Sequence, residues 1–407
     1  MRRVYLDYAA TTPMDPEVIS EIDKHLRETY GNASSLHGDG QIAHQLLEKC
    51  RQKIAQFLNA NEDEIVFTSS GTESNNLALK GIAYKNRERG NHIITSKIEH
   101  HSVLHTCQYL EKIGFKVSYV NVDKDGLIDL KELEENITDK TILISVMFAN
   151  NEIGTIEPIK EIGQIAKKHN VLFHTDAVQA FGKIPIDVED LNIDLLSASG
   201  HKIYGPKGVG MLYVRGGGKK KGMGKYIEPI LHGGGHEKGL RSSTENIPGI
   251  VGFTKAVELC QHNMEIESSK LINFRDKIIS KFTSEIDDVY LNGHPTKRLP
   301  NNVNLGFRYI EGESILLSLD IEGISVSTGS ACSSKSLEAS HVLLAIGQKP
   351  EEAHGSIRIT MGRFTTEDDI KYLFETLPGI IIRLRSMSPL KKGKKYLLND
   401  SNLHCDN

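Results

Sequence analysis

The sequence has no CxxC pair. Its five cysteines, Cys50, Cys107, Cys260, Cys332 and Cys405, are odd in number and widely spaced. This speaks against a disulfide framework and a zinc site, and predicts a reducing compartment. Behind the two arginines of MRRVYLDYAATTP there is no apolar stretch, because Asp7 arrives at once, so no secretory signal is expected. Long apolar runs are missing as well: ILISVMFA is far too short to span a bilayer, and no membrane partner is expected. Neither sign of charge is in excess. Lys and Arg number 49 against 53 Asp and Glu, a net charge of −4, which gives no grip on nucleic acid or an acidic membrane surface. What these absences leave is a soluble cytoplasmic protein of 407 residues, long enough for two or three domains.

Through the first 260 residues, short apolar bursts alternate with helical patterns. EIVFTSS, NHIITSK, KVSYVNV, TILISVMFA, VLFHTDA, DLLSASG and GVGMLYV are rich in β-branched residues and bounded by Gly, Asn, Asp or Ser, as strands are. In IKEIGQIAKKHN, Ile159, Ile162, Ile165 and Ala166 recur at helical spacing, with Asn170 as a stop. The alternation predicts an α/β fold with a mainly parallel sheet covered on both faces. Past residue 260 come the shorter strands NNVNLGF, GISVSTG and SIRITM and a helix from about Thr366, the pattern of a smaller α+β domain. The expected division is a large domain over 13–261, a small domain made of 1–12 and 262–388, and a polar tail over 389–407. The glycine-rich RGGGKKKGMGKY between Arg215 and Tyr226 is expected to form a hairpin tip.

SASGHKIYGPKG places His201 and Lys202 after a strand, in a turn with Gly200, Gly205 and Gly208. VLFHTDAVQ ends another strand in Asp176, with Gln179 close behind. In an open parallel sheet both groups would reach the carboxyl ends of the strands, where ligands bind. A converging lysine and aspartate suit pyridoxal phosphate (PLP), which needs an amine for a Schiff base and a carboxylate to keep its ring nitrogen protonated. IVFTSSGTESNN offers Gly71 and Thr72 at a helix N-terminus, where free N–H groups favour a phosphate; an ordinary capping box of Thr72 and Asn75 is the alternative. ITSKIEHHSVL offers His100 and His101. No carboxylate or cysteine cluster accompanies them, so no metal site is expected. One of them suits a lid on a flat ring and a proton shuttle, and a satisfied strand-end histidine is the other reading. In TGSACSS, finally, Cys332 has only small neighbours, which cannot pack a core around its sulfur.

YLDYAATTP, YGNASSLHG, TSSGTESNN, ITSKIEHHSVL, NNEIG, TDAVQ, SGHKIYGPKG, HGGGHEKGLRSSTEN, STGSACSS and SIRITMGRFT occur in the order seen in cysteine desulfurases of the NifS/IscS group. The chain resembles these PLP enzymes, which have the class V aminotransferase fold (fold type I), from about Val4 to about Pro389. The resemblance implies that Lys202 is the Schiff-base lysine, Asp176 pairs with the ring nitrogen, Gln179 with the ring hydroxyl, and His100 stacks on the ring. It makes Gly71, Thr72, Ser199 and His201 the phosphate cradle. Thr244 would reach the phosphate of a neighbouring subunit in a homodimer with shared sites, and Asn151 and Arg358 would hold the substrate carboxylate. L-Cysteine would lose its Cα proton to Lys202, Cys332 would attack the substrate sulfur and keep it as a persulfide, and alanine would leave. His100 would assist the proton transfers. A protein acceptor such as an iron–sulfur scaffold would then take the sulfur. A selenocysteine lyase or an aminotransferase on the same fold is the alternative within PLP chemistry, and a non-catalytic sulfur-handling scaffold the alternative outside it.

Overall fold

The structure is a computed structural model that describes residues 2–218, 220, 222–328 and 339–389. Cys332, Cys405 and the tail from 390 onward therefore lie outside the described residues. The seven apolar bursts form the strands β2 (Ile65–Thr68), β3 (His92–Ser96), β4 (Lys116–Val120), β5 (Thr141–Ser145), β6 (Leu172–Asp176), β7 (Leu195–Ser199) and β8 (Gly210–Val214) of one sheet, after a short β1 (Val4–Tyr5). The sheet order is β2-β8-β7-β6-β5-β3-β4. Only β8 runs antiparallel to its neighbours, β2 and β7; the other pairs are parallel.

Every residue of β5, β6 and β7 is buried, as a sheet covered on both faces requires. Alternate residues serve different cores. Phe67, Ile94, Ile144, Phe173 and Leu196 join one apolar cluster, whereas Val66, Ile93, Leu143, Leu172 and Leu195 join another. On the first face lie α2 (Gly38–Phe57), α6 (Ile159–Lys168) and the start of α7 (Ile247–Glu285), after the short α1 (Pro16–Glu28). The second face carries α3 (Gly71–Lys85) and α4 (His101–Lys112). The helical spacing in α6 is explained directly: Ile159, Ile162 and Ala166 are buried, and Asn170 ends the element in a left-handed conformation, φ 52°. The ends of RGGGKKKGMGKY meet, the Met223 N–H donating to the Arg215 carbonyl at 2.7 Å, but among its described residues there is no strand pairing. Its described part is a turn followed by a short 3-10 helix, Gly222–Tyr226, and β8 already has β2 and β7 on its two sides.

A second core gathers around the antiparallel sheet β12-β10-β9, built from β9 (Val289–Leu291), β10 (Asn302–Phe307) and β12 (Ser356–Thr360), with the helices α8 (Gly312–Ile321) and α11 (Glu367–Met387) packed on it. At its edge β1 pairs with β11 (Ile324–Ser325), Val4 opposite Ile324. The 39-residue α7 belongs to both cores, contributing residues up to Cys260 to the first and Leu271, Phe274, Ile278 and Phe282 to the second. We propose that the two domains divide along this helix and that residues 1–12 belong with the second. Among the described residues no helix is long and apolar enough to cross a membrane.

One buried ion pair braces the large body. Arg51 of α2 donates from Nη1 to Glu237 Oε2 at 2.7 Å and from Nη2 to Glu237 Oε1 at 2.9 Å, while Glu237 also accepts the Phe67 N–H of β2 at 2.7 Å. Glu237 holds a left-handed φ of 48° there. Removing one partner strands a charge away from water. Glu237→Gln should therefore lower the unfolding free energy by about 3–5 kcal/mol in urea melts, and the apolar pair Arg51→Met with Glu237→Leu should recover most of it.

Candidate active site

The carboxyl ends of β2, β3, β6 and β7 open on one edge of the sheet, because β2 runs parallel to β7 across the reversed β8. There they border a cavity of about 470 Å³, within the usual range for a small-molecule site. Every described residue singled out for the site from the sequence lines it, except Thr244; Cys332 lies outside the described residues.

Lys202 sits in a short 3-10 turn, Gly200–Lys202, immediately after β7. Its Nζ donates to the carbonyls of Ala9 at 2.6 Å and Ala10 at 2.7 Å, so the chain's first residues fix the amine. The same segment is stitched to the turn by Thr12, whose Oγ1 donates to the His201 carbonyl at 3.0 Å and accepts the Tyr204 N–H at 2.7 Å. Tyr204 is held at φ +66°, a strained backbone of the kind found beside functional groups. His201 reaches Thr11 Oγ1 from Nδ1 at 3.1 Å, and burial with nearby lysines pushes its pKa down to about 4. It is neutral at physiological pH.

Asp176 is the last residue of β6. Its Oδ2 accepts from Asn75 Nδ2 at 2.7 Å and its Oδ1 from the Val178 N–H at 3.0 Å. The other proton of Asn75 Nδ2 goes to Ser102 Oγ at 2.8 Å, and Ser102 Oγ is 2.8 Å from His100 Nδ1. The Ser102 N–H also donates to that Nδ1, at 3.1 Å. With Nδ1 accepting twice, the network assigns the proton of neutral His100 to Nε2. Burial holds His100 below its ordinary pKa, with Asp176 opposing. His100 is thus the N-cap of α4, and its Nε2, which has no partner among the described residues, is left for the cavity. His101 instead meets His105 and His341 in tilted ring contacts, centroids 5.0 and 4.9 Å apart. Among the described residues no group of three or more His, Cys, Asp or Glu side chains is placed to hold a metal.

The capping box of Thr72 and Asn75 is not formed. Ser70 caps α3, its Oγ accepting from the Glu73 N–H at 3.1 Å, and Asn75 turns to Asp176. The N–H groups of Gly71 and Thr72 have no acceptor among the described residues, which leaves them for an anion. Across the cavity Arg358 of β12 donates from Nη1 to the Asn151 carbonyl at 3.0 Å and from Nη2 to Asp7 at 2.8 Å. Its Nε is buried with no partner among the described residues.

The model of the Aminotransferase class-V family matches residues 4–373. The chain belongs to that family. Among curated class-V relatives, the cysteine desulfurase IscS of Dictyoglomus turgidum is 53% identical over 97% of this chain and 98% of its own. IscS of Methanosarcina thermophila is 54% identical over 96% of this chain and 94% of its own. A solved NifS-like protein superposes with a TM-score of 0.87 at 40% identity, over 94% of this chain and 100% of that one. These are PLP-dependent enzymes of fold type I, and PLP is the cofactor here.

The residues present fit that class-V cofactor. An amine, a carboxylate 101 positions from the amide that holds it, a histidine face and unpaired amides at a helix start share one cavity. The orphaned Arg358 Nε adds an anion donor. Thr244 lies apart: it is exposed and borders a smaller cavity with Arg241, Glu237 and Gly208. Asn75, Ser102 and Asp7 were not singled out for the site from the sequence. Asn75 could have been found, since it follows Gly71 by one helical turn and so shares its face. Asp7 and Ser102 carry no such signal.

Replacing Arg358 by Gln removes the charged donor and should lower kcat/KM for L-cysteine by about 10²-fold, chiefly through KM, as loss of charge-assisted hydrogen bonds implies. Steady-state kinetics measures the split, and Arg358→Lys should recover only part because it lacks the planar fork.

Proposed function

We infer that the chain is a cysteine desulfurase that converts L-cysteine to L-alanine and passes the sulfur to Cys332 as a persulfide. One observation supports Cys332 above the others: residues on either side of its segment are anchored at the cavity. Ser327 exchanges backbone hydrogen bonds with Arg358 at 3.1 and 2.6 Å, Ser340 Oγ donates to the cavity residue Glu152 at 2.5 Å, and the His341 ring packs at a tilt against His101. Cys50, Cys107 and Cys260 are buried thiols, and burial raises the pKa of each, which suppresses the thiolate a nucleophile needs.

PLP, once bound, draws electrons from Cα of an amino acid attached to it. The chain supplies the rest. Arg358 and Asn151 would hold the substrate carboxylate, Asp176 would keep a proton on the ring nitrogen, Gln179 would meet the ring oxygen, and Gly71, Thr72, Ser199 and His201 would take the phosphate. His100 would cover the ring and offer its Nε2 proton, while Nζ of Lys202 would remove the proton from Cα. Cys332 Sγ, as thiolate, then bonds to the substrate sulfur. The carbon–sulfur bond breaks, its electron pair stays on carbon, and two protons complete alanine, one added at Cβ and one returned to Cα by Lys202. The sulfur remains on Cys332. A homodimer, with Thr244 reaching the partner's phosphate, a cytoplasmic setting and an iron–sulfur scaffold as acceptor complete the proposal. Incubation with L-cysteine and a thiol reductant should yield alanine and sulfide in equal amounts. A keto acid in place of alanine would instead mark an aminotransferase.

A further inference from the structure

Gln179 follows β6 by three residues and lines the cavity. Its carboxamide is gripped from both ends. Nε2 donates to the Ala9 carbonyl at 2.9 Å, and Oε1 accepts from Lys183 Nζ at 3.2 Å. Lys183 also donates to the Gln179 backbone carbonyl at 2.9 Å, closing a ring one helical turn long, and its own carbonyl accepts from Ser268 of α7 at 3.0 Å. The Ala9 carbonyl that receives Gln179 is the one that receives Lys202 at 2.6 Å. Four groups therefore run in series: Lys183, Gln179, the Ala9 carbonyl and Lys202.

An amide can turn over and exchange its oxygen for its NH₂ at little cost in shape, and only its partners decide. Here a turned amide would aim NH₂ at an ammonium and a carbonyl oxygen at a carbonyl oxygen, two donor–donor and acceptor–acceptor clashes. We propose that Lys183 is a positioning residue, locking Gln179 in the orientation whose second N–H, and not its oxygen, meets the ring oxygen of the cofactor. The proposal rests on the PLP reading above and adds a residue to it.

The half-buried Lys183 amine has an electrostatic consequence too. Its surroundings are Lys202 in the active-site turn, Cys260 and Glu267 on α7, and Arg358 on β12. Burial and the charge of Lys202 push Lys183 down to about 7, so it sheds its proton near physiological pH. When the linkage between Lys202 and the cofactor loses its proton, the negative charge on the ring oxygen is no longer balanced beside it. A donated N–H stabilises that state, and so does the charge of Lys183 while it keeps its proton, below about pH 7. Lys183 thus favours the deprotonated linkage on both counts.

The test is a pH titration of the visible absorbance of the holoenzyme, which reads this proton without turnover. In Lys183→Met the apparent pKa of the linkage should rise by about one unit, a tenfold gain in proton affinity, and Lys183→Arg should bring most of the shift back. Gln179→Leu should raise it similarly, and the double variant should add little to either single change. An unchanged pKa in Lys183→Met would overturn the proposal, as would a full additional shift on top of Gln179→Leu, because the lysine would then act without the amide. Should Lys183→Met not fold, Gln179→Glu carries the test: it keeps the Lys183 contact but offers no N–H, so its pKa must rise. A wild-type protein with no visible band after incubation with PLP would refute the cofactor reading instead, and is distinguishable at once.

Discussion

With Cys332→Ala the protein should keep its visible PLP band and still respond spectrally to added L-cysteine, yet sulfide release should fall by about 10³-fold or more, the scale expected when a nucleophile is deleted. The cavity explains the separation. On the proposed assignment Lys202, Asp176, Arg358 and Asn151 would bind and activate the amino acid without needing the Cys332 thiol. The remaining described thiols cannot substitute, since each is buried and its pKa raised. Mass spectrometry of wild-type enzyme quenched during turnover should find one added sulfur on the peptide containing Cys332. The same adduct at Cys405, two residues from the end of the sequence, with normal sulfide release from Cys332→Ala, would move the nucleophile to the tail.

Lys202→Ala should be the more complete loss. Without the amine no covalent linkage forms, and the base for the Cα proton disappears with it, so turnover should drop by about 10⁴-fold or more. The band of the linkage should be replaced by that of free, non-covalently held PLP. The fold should survive. Lys202 lies in a turn after β7 rather than in an apolar cluster, and truncation frees the Ala9 and Ala10 carbonyls inside the cavity, where water can reach them. Chemical rescue by a small primary amine would separate loss of the base from loss of structure.

How much of this was legible beforehand follows the physics of each signal. The seven large-domain strands were readable because each is a short β-branched run closed by turn residues, and α6 because its apolar positions repeat at helical spacing. Lys202, Asp176 and Gln179 were readable because they stand at strand ends. The sheet order was not, since nothing local in GVGMLYV says that β8 runs backwards. Nor was the continuity of α7: the hydrophobic pattern changes near residue 260 because the helix passes from one core to the other, and a change of partner looks like a change of element. Asn75 was read as a capping residue because local spacing cannot reveal a contact with Asp176, 101 residues away. The pairing of Asp7 with Arg358 spans 351 residues, and neither residue advertises it.

The reversed strand has one more effect. Because β8 is antiparallel to both β2 and β7, the two strands on its flanks point the same way and finish at the same rim of the sheet. The amides that begin α3 therefore open on the cavity that also receives Lys202. Agreement in direction between two strands that are not themselves neighbours is what lets an early stretch of sequence and a late one close on the two ends of the same small molecule.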